Sequence, residues 1–302
     1  MIKHSFSIKE NIMKVGSIIT MAVLFTFSTL VQATNLKMSV YNPGEKSIFP
    51  VSSEIISGEH EIILIDAQFQ KNDAEELVNR IKKLNKKLKT IYISHSDPDY
   101  YFGLEVITKA FPNAKVLATA ETVKAIKATK EGKQAYWGPI LKQQAPTKII
   151  VPDVLQGNTL VVDGEKIKIQ GLKSAAPDRT FVWIPKLRAV VGGVLVSDNI
   201  HVWTADTQNK ASRQHWLQSL ESIKQLKPKV VIPGHYLEPS AKDIATVTFT
   251  ENYLKKLEKV LAKSKNSTEV IDIMRQAYPN LKEPASLELS AKVLKGEMKW
   301  PQ

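Results

Sequence analysis

Residues 91–103 read Ile91-Tyr92-Ile93-Ser94-His95-Ser96-Asp97-Pro98-Asp99-Tyr100-Tyr101-Phe102-Gly103. Lys89 to Ser94 has the apolar content of a buried strand. It delivers a histidine and two carboxylates straight into a loop, and Leu104 to Phe111 then continues as a helix. Taken alone, Asp97 and Asp99 bracketing Pro98 are turn formers, because an aspartate carboxylate binds nearby backbone N–H groups. Their company changes that reading.

Upstream, Ile63-Leu64-Ile65-Asp66 is a strand ending in a carboxylate, and downstream Val231-Ile232-Pro233-Gly234-His235 ends a strand in a histidine. Side chains at strand ends converge on a common mouth, where chemistry is held by rigid elements. Further strands are expected over 36–41, 50–56, 61–66, 114–119, 180–184 and 189–194. Asp163-Gly164 is a two-residue hairpin signal between 159–162 and 166–169. Ala74, Leu77, Val78, Ile81 and Leu84 recur at helical spacing, and other helices are expected from about 121 and over 211–226. Tyr136-Trp137-Gly138-Pro139 lacks periodicity and is expected to loop over one mouth of the fold. From about residue 241 the chain reads as helical, with Tyr253, Leu254, Leu257 and Leu261 as its apolar stripe. No linker divides the chain, and two sheets covered by helices satisfy this order.

The combination resembles the metallo-β-lactamase superfamily, from about Val51 to Tyr236. In that family a strand ending in Asp precedes a helix, then a strand and the signature His-x-His-x-Asp-His, then Gly and a helix. The resemblance implies an α/β fold, a four-layer α/β/β/α sandwich with one or two metals, usually zinc, at the sheet edges. His95 matches the first signature histidine, Asp99 the signature aspartate and His235 the final ligand. Asp97 stands in place of the second histidine and Tyr100 in place of the last. Ala175 falls where a further histidine is expected and Val194 where the bridging aspartate is expected. Asp66 matches an aspartate that supports the signature loop through hydrogen bonds.

That ligand set is too eroded for two four-coordinate zinc ions. Two alternatives remain open. His95, Asp97, Asp99 and His235 hold a single divalent metal, zinc or the harder manganese, or they hold none and activate water by general base catalysis. Either way the resemblance points to hydrolysis of a small ester, lactone or amide. The competing class is a binding or scaffold protein that kept the fold and lost the chemistry, with Ala175 and Val194 as its support. His201, in Ile200-His201-Val202-Trp203, is read either as a support residue near the mouth or as a surface histidine. Asp198 is not expected to replace the bridging aspartate. Tyr101 and Phe102 are expected in the core or mouth, and His60 and His215 in solvent.

Residues 1–33 are set aside from the fold. Lys3, Lys9 and Lys14 precede an uncharged apolar run over 15–31, which exits through Val31-Gln32-Ala33. This is the pattern of a secretory signal peptide, and Met13 opens a shorter leader of the same design. The run is broken by Ser and Thr and falls short of the roughly 20 apolar residues of a membrane span. An exported domain over 34–302 is expected, periplasmic or secreted, without stable membrane insertion once the leader is cleaved. It carries +10 of the chain's +12, because residues 1–33 hold three lysines and one glutamate. The chain has no cysteine, which excludes disulfides and thiolate metal sites. Lys82, Lys83, Lys86, Lys87 and Lys89 cluster near a helix end, where they complement its dipole. No aromatic interleaving of the kind that binds single-stranded nucleic acid accompanies them. The expected partner is therefore a small-molecule substrate, not nucleic acid.

Overall fold

The strand Glu61–Ile65 (β3) shows how the layers are made, because its successive side chains enter different cores. Ile62 and Leu64 pack with Leu77 and Ile81 of the helix Lys71–Lys83 (α1), whereas Ile63 and Ile65 pack with Ile167 and Val182 of a second sheet. Strand side chains alternate between faces, so a strand apolar at every position is one covered on both sides. The computed structural model describes residues 1–2 and 35–300, so the signal-peptide reading lies outside the described residues. No helix among those described is long and apolar enough to cross a membrane.

The first sheet runs β1 (Lys37–Tyr41), β2 (Ser53–Ser57), β3, β4 (Lys87–Ile93), β5 (Lys115–Ala118) and β6 (Asp153–Val154). It is antiparallel up to β3 and parallel beyond. Its outer face is covered by α1 and by the helices Pro98–Tyr101 (α2), Leu104–Ala110 (α3) and Ala120–Leu141 (α4). The second sheet contains β7 (Thr159–Val162), β8 (Glu165–Gln170), β9 (Phe181–Ile184), β10 (Ala189–Val191) and, after β11 (Ser197–Asp198) and α5 (Lys210–Gln225), β12 (Val230–Val231). Its order is β12-β10-β9-β8-β7. After β13 (His235–Tyr236), the helices α6 (Ile244–Leu261), α7 (Ser267–Ala277) and α8 (Pro284–Leu294) join α5 on its outer face. Three apolar clusters, one between each pair of adjacent layers, make this an α/β/β/α sandwich.

The hairpin signal is realised. Val162 pairs with Glu165 across Asp163 (φ 45°) and Gly164 (φ 82°), the left-handed pair that a tight two-residue turn requires. The Asp163 carboxylate also accepts from the backbone N–H groups of His60 and Glu61, at 2.9 and 3.1 Å, tying this turn to the one before β3. His60 is exposed as expected, and His215 is half-buried.

Two expectations need correction. Tyr136-Trp137-Gly138-Pro139 is not a loop but the end of α4. Proline is tolerated there because the helix ends two residues later at Leu141, followed by Lys142 with φ 54°, so only the last turn is perturbed. Strand β10 stops at Val191, short of residue 194, since Gly192 and Gly193 both take positive φ. At Gly193 a side chain is excluded in any case, because a Cβ would lie 2.3 Å from the Thr180 carbonyl. Leu84 also leaves the stripe of α1 as its half-exposed cap.

Candidate active site

Asp66, at φ 61° just beyond β3, anchors the loop that follows β4. Its Oδ1 accepts from the Ser94 backbone N–H at 2.8 Å, and its Oδ2 accepts from the Ser94 hydroxyl at 2.5 Å. Ser94 Oγ in turn accepts from the Gly193 N–H at 2.7 Å. The ends of β3, β4 and β10 are thereby locked together behind the mouth. Asp66 is fully buried, and that burial pushes its carboxyl up to about 8 against the lowering pull of Ser94. It faces protein donors, the loop-supporting role expected of it.

Gly103 lets this loop close on the sheet, since a Cβ there would meet the Ala67 carbonyl at 2.0 Å. Asp97 precedes the one-turn helix α2 with Pro98 in its first turn, yet the Asp97 carboxylate caps nothing. It is engaged elsewhere: Oδ2 lies 3.2 Å from His95 Nδ1, and Oδ1 accepts from Lys133 Nζ of α4 at 3.0 Å. Lys133 also donates to the Ser96 carbonyl at 2.8 Å. Burial alone raises the Asp97 carboxyl, but Lys133 and then His95 outweigh it and hold the group well below the usual carboxylate range. His95 Nδ1 lies 3.2 Å from the Asp97 backbone N–H as well, accepting from it when the ring proton is on Nε2 and donating to Asp97 Oδ2 when the proton is on Nδ1. Among the described residues Nε2 makes no hydrogen bond, and the ring lines the cleft.

The second pair is Asp99 with His235. Residue 235 pairs with Ser197 of β11 on one side and bridges to Val51 on the other, which fixes it between the two sheet edges. His235 Nε2 donates to Asp99 Oδ2 at 2.6 Å, while Nδ1 lies 3.3 Å from the Tyr100 oxygen. The Tyr100 hydroxyl donates to the Gly193 carbonyl at 3.3 Å, leaving its oxygen free to accept from a protonated His235. Burial lowers the His235 pKa, but the hydrogen bond and charge of Asp99 outweigh it and the net shift is upward. Both ring nitrogens of His235 are thus engaged by protein groups, Nε2 by Asp99 and Nδ1 by the Tyr100 oxygen. Burial raises the Tyr100 phenol well above its ordinary value, so it stays neutral.

Both pairs open into one cleft of about 460 Å³. Val194 lines it, whereas Ala175 does not, and Asp178 and Arg179 take that stretch of wall. Arg179 is itself buried, with its guanidinium 5.0 Å from the centre of the Trp216 ring. His201 is no surface residue. It is 2 % exposed and hydrogen-bonded through Nδ1 to the Tyr253 hydroxyl at 3.1 Å, and burial depresses it to about 4, so it is neutral at pH 7. Asp198 accepts from the Ser240 hydroxyl at 2.7 Å and takes no part in either pair.

The family model described as the metallo-beta-lactamase superfamily matches residues 48–235, more than half of the chain. The chain belongs to this superfamily. It is 27 % identical over 179 residues to metallo-beta-lactamase IND-1 of Chryseobacterium indologenes, covering 58 % of this chain and 66 % of IND-1. It is 30 % identical over 71 residues to the uncharacterized protein YobT of Bacillus subtilis (strain 168), covering 24 % of this chain and 30 % of YobT. The chain thus spans just under two thirds of IND-1 and under a third of YobT. Among solved structures, a metallo-beta-lactamase from Pontibacter korlensis superposes with TM-score 0.51 at 21 % identity, covering 73 % of this chain and 94 % of that one. VMB-1 superposes with TM-score 0.57 at 18 % identity, covering 74 % and 98 %. These likenesses show a hydrolase-like fold in a superfamily whose members usually bind zinc.

The residues present do not fit that metal. No group of three or more His, Asp or Glu side chains among the described residues is placed to hold an ion. The four ligands expected around a single zinc or manganese instead divide into two pairs, each with a further protein partner. Lys133 is the physical reason. An ammonium and a divalent ion about 4 Å apart repel by roughly 8 kcal/mol at an effective dielectric of about 20, so the lysine and a metal on Asp97 are alternatives. Nothing in residues 95–103 signals Lys133. It lies 36 positions from Asp97, in a helix with several other lysines.

Proposed function

We propose that this chain is an exported hydrolase of a small ester, lactone or amide in which His95, oriented by Asp97, activates water without a metal. The observation that carries this reading is the chain Lys133–Asp97–His95, which ends in an imidazole that lines the cleft and whose Nε2 has no hydrogen-bond partner among the described residues. A base held by a carboxylate, itself held by a third group, is the arrangement that general base catalysis requires. With its own proton on Nδ1, directed at Asp97 Oδ2, His95 Nε2 takes a proton from water as the water oxygen bonds to the substrate carbonyl carbon. The resulting oxyanion gains from the positive charges of Lys133 and Arg179, which line the same cleft. Collapse of the tetrahedral intermediate breaks the bond to the leaving oxygen or nitrogen, which recovers the proton from His95.

The test is hydrolysis of ester, lactone, amide and β-lactam panels by protein stripped with chelator, with and without added zinc or manganese. Turnover that is unchanged by stripping is expected. Turnover that appears only with added metal would overturn the proposal. Inactivity on every panel under every condition would favour a ligand-binding protein, the reading that the apolar Val194 wall supports. Export rests on the basic, apolar and small-residue order of residues 3–33. Intact mass of protein collected outside the cytoplasm should correspond to a chain beginning at Thr34, and recovery of the uncleaved chain in membranes would refute it.

A further inference from the structure

We infer that the cleft selects an organic cation, a ligand bearing a quaternary or alkylated ammonium group. This inference deepens the proposal above and rests on reading the cleft as the substrate site. Five aromatic side chains close a circuit around its wall. Phe49 meets Trp137 at 5.4 Å and 79°, and Trp137 meets Tyr136 at 4.9 Å and 85°. Tyr136 meets Trp300 at 5.7 Å and 87°, Trp300 meets Trp203 at 5.3 Å and 73°, and Trp203 returns to Phe49 at 6.5 Å and 74°. Every neighbour is steeply inclined to the next, as the walls of a box are, and all five residues line the cavity. They come from four separate parts of the chain: the segment before β2, α4, the loop after β11, and the C-terminal end.

Aromatic walls by themselves accept any apolar group. The charge at the rim makes the choice. Asp206 accepts from Trp203 Nε1 at 2.6 Å and from Trp300 Nε1 at 2.9 Å, so two neutral donors hold it against the box. It forms no salt bridge among the described residues; burial and then Asp97 raise its carboxyl, while the two indole donors and the charge of Arg179 favour the ionised form, as a bound cation would. The wider lining points the same way. Asp97, Asp99, Asp178, Asp206 and Glu283 face Lys133 and Arg179, and even with His235 protonated the acids outnumber the cations. This acidic pocket sits in a chain of net charge +12. A ring face attracts a cation through its quadrupole, more strongly as the cation is desolvated. A carboxylate at the rim adds attraction that a neutral ligand of the same shape does not feel.

Calorimetric titration of the mature protein with choline, with its neutral isostere 3,3-dimethylbutan-1-ol and with the anion 3,3-dimethylbutanoate tests this. Choline should bind at least about tenfold more tightly than the neutral isostere. Asp206→Asn should remove most of that ratio while leaving the isostere's affinity unchanged, a difference that a general loss of structure does not produce. Trp300→Ala should weaken choline by a similar factor. Equal binding of choline and isostere, preference for the anion, or no binding of any of the three would overturn the inference. The same titrations on His95→Ala keep the two proposals apart. Choline selectivity in a protein that hydrolyses nothing leaves the cation site standing and removes the hydrolase reading, whereas hydrolysis without selectivity does the reverse.

Discussion

His95→Ala is expected to lower kcat/KM on whichever ester, lactone or amide is turned over by about 10²- to 10⁴-fold, the span of a lost general base. The loss should fall on kcat with KM little changed, because abstraction of the water proton stabilises only the transition state. Asp97→Asn should approach the same loss by a different route, since the amide offers His95 Nδ1 no negative partner and leaves Lys133 uncompensated at the mouth. Asp97 remains ionised far into acid because Lys133 and His95 hold it there against its burial. Its contribution to stability is therefore present above its ordinary value near 3.8 and is lost only as pH falls through the lower folded value. Lys133→Met removes that protection and should move the acid limb of both activity and stability upward in pH. Steady-state kinetics on chelator-stripped protein, with circular dichroism to confirm folding, decide the matter. A His95→Ala protein within about threefold of wild type, far inside the range of a general base, would remove this residue from the chemistry.

Glu54→Met should stabilise the protein. Glu54 lies on β2, on the face that meets the second sheet, is 0 % exposed, and has no hydrogen-bond partner on either carboxyl oxygen among the described residues. The nearby Ser52 hydroxyl is donated to the Pro233 carbonyl at 2.9 Å. Burial first, and then the charge of Asp66, drive the Glu54 carboxyl well above 4.5, so it is carried protonated in the folded chain. The sign follows from linkage. Below 4.5 both states are protonated and nothing is lost. As pH rises above 4.5 the unfolded chain releases the proton, the folded chain keeps it, and stability falls. Asp66 acts in the same direction between 3.8 and about 8. Removing a buried polar group that lacks hydrogen-bond partners relieves a desolvation cost of about 1–3 kcal/mol. In a domain of this size that corresponds to roughly 2–4 °C in Tm per kcal/mol. The variant should also show a flatter decline of Tm between pH 5 and 8, because one proton-linked group is gone. Unchanged Tm at pH 7 together with an unchanged pH profile would mean that Glu54 is satisfied after all.

Much of this architecture is written in short stretches of chain. A strand apolar at every position, as in Ile62-Ile63-Leu64-Ile65, requires cover on both faces whatever the rest of the chain does. Asp163-Gly164 states its own turn, and the order of Asp66, His95, Asp99, Gly103 and His235 along the chain is enough to identify the superfamily. The loss of metal ligands at Ala175 and Val194 is equally legible, because a methyl or isopropyl group has no lone pair in any conformation. What the tertiary structure alone decided are the pairings. Lys133 reaches Asp97 only because α4 packs back over the first sheet, and Asp206 meets both Trp203 and Trp300 only because the C-terminal end returns to the mouth. The final turn of α4 carries Gly138 and Pro139, whose local preferences argue against helix, and packing overrode them. Periodicity and turn chemistry act over a few residues and can be read there. An ion pair or a hydrogen bond between residues 36 or 94 positions apart has no local signal, because its energy exists only once the layers have closed.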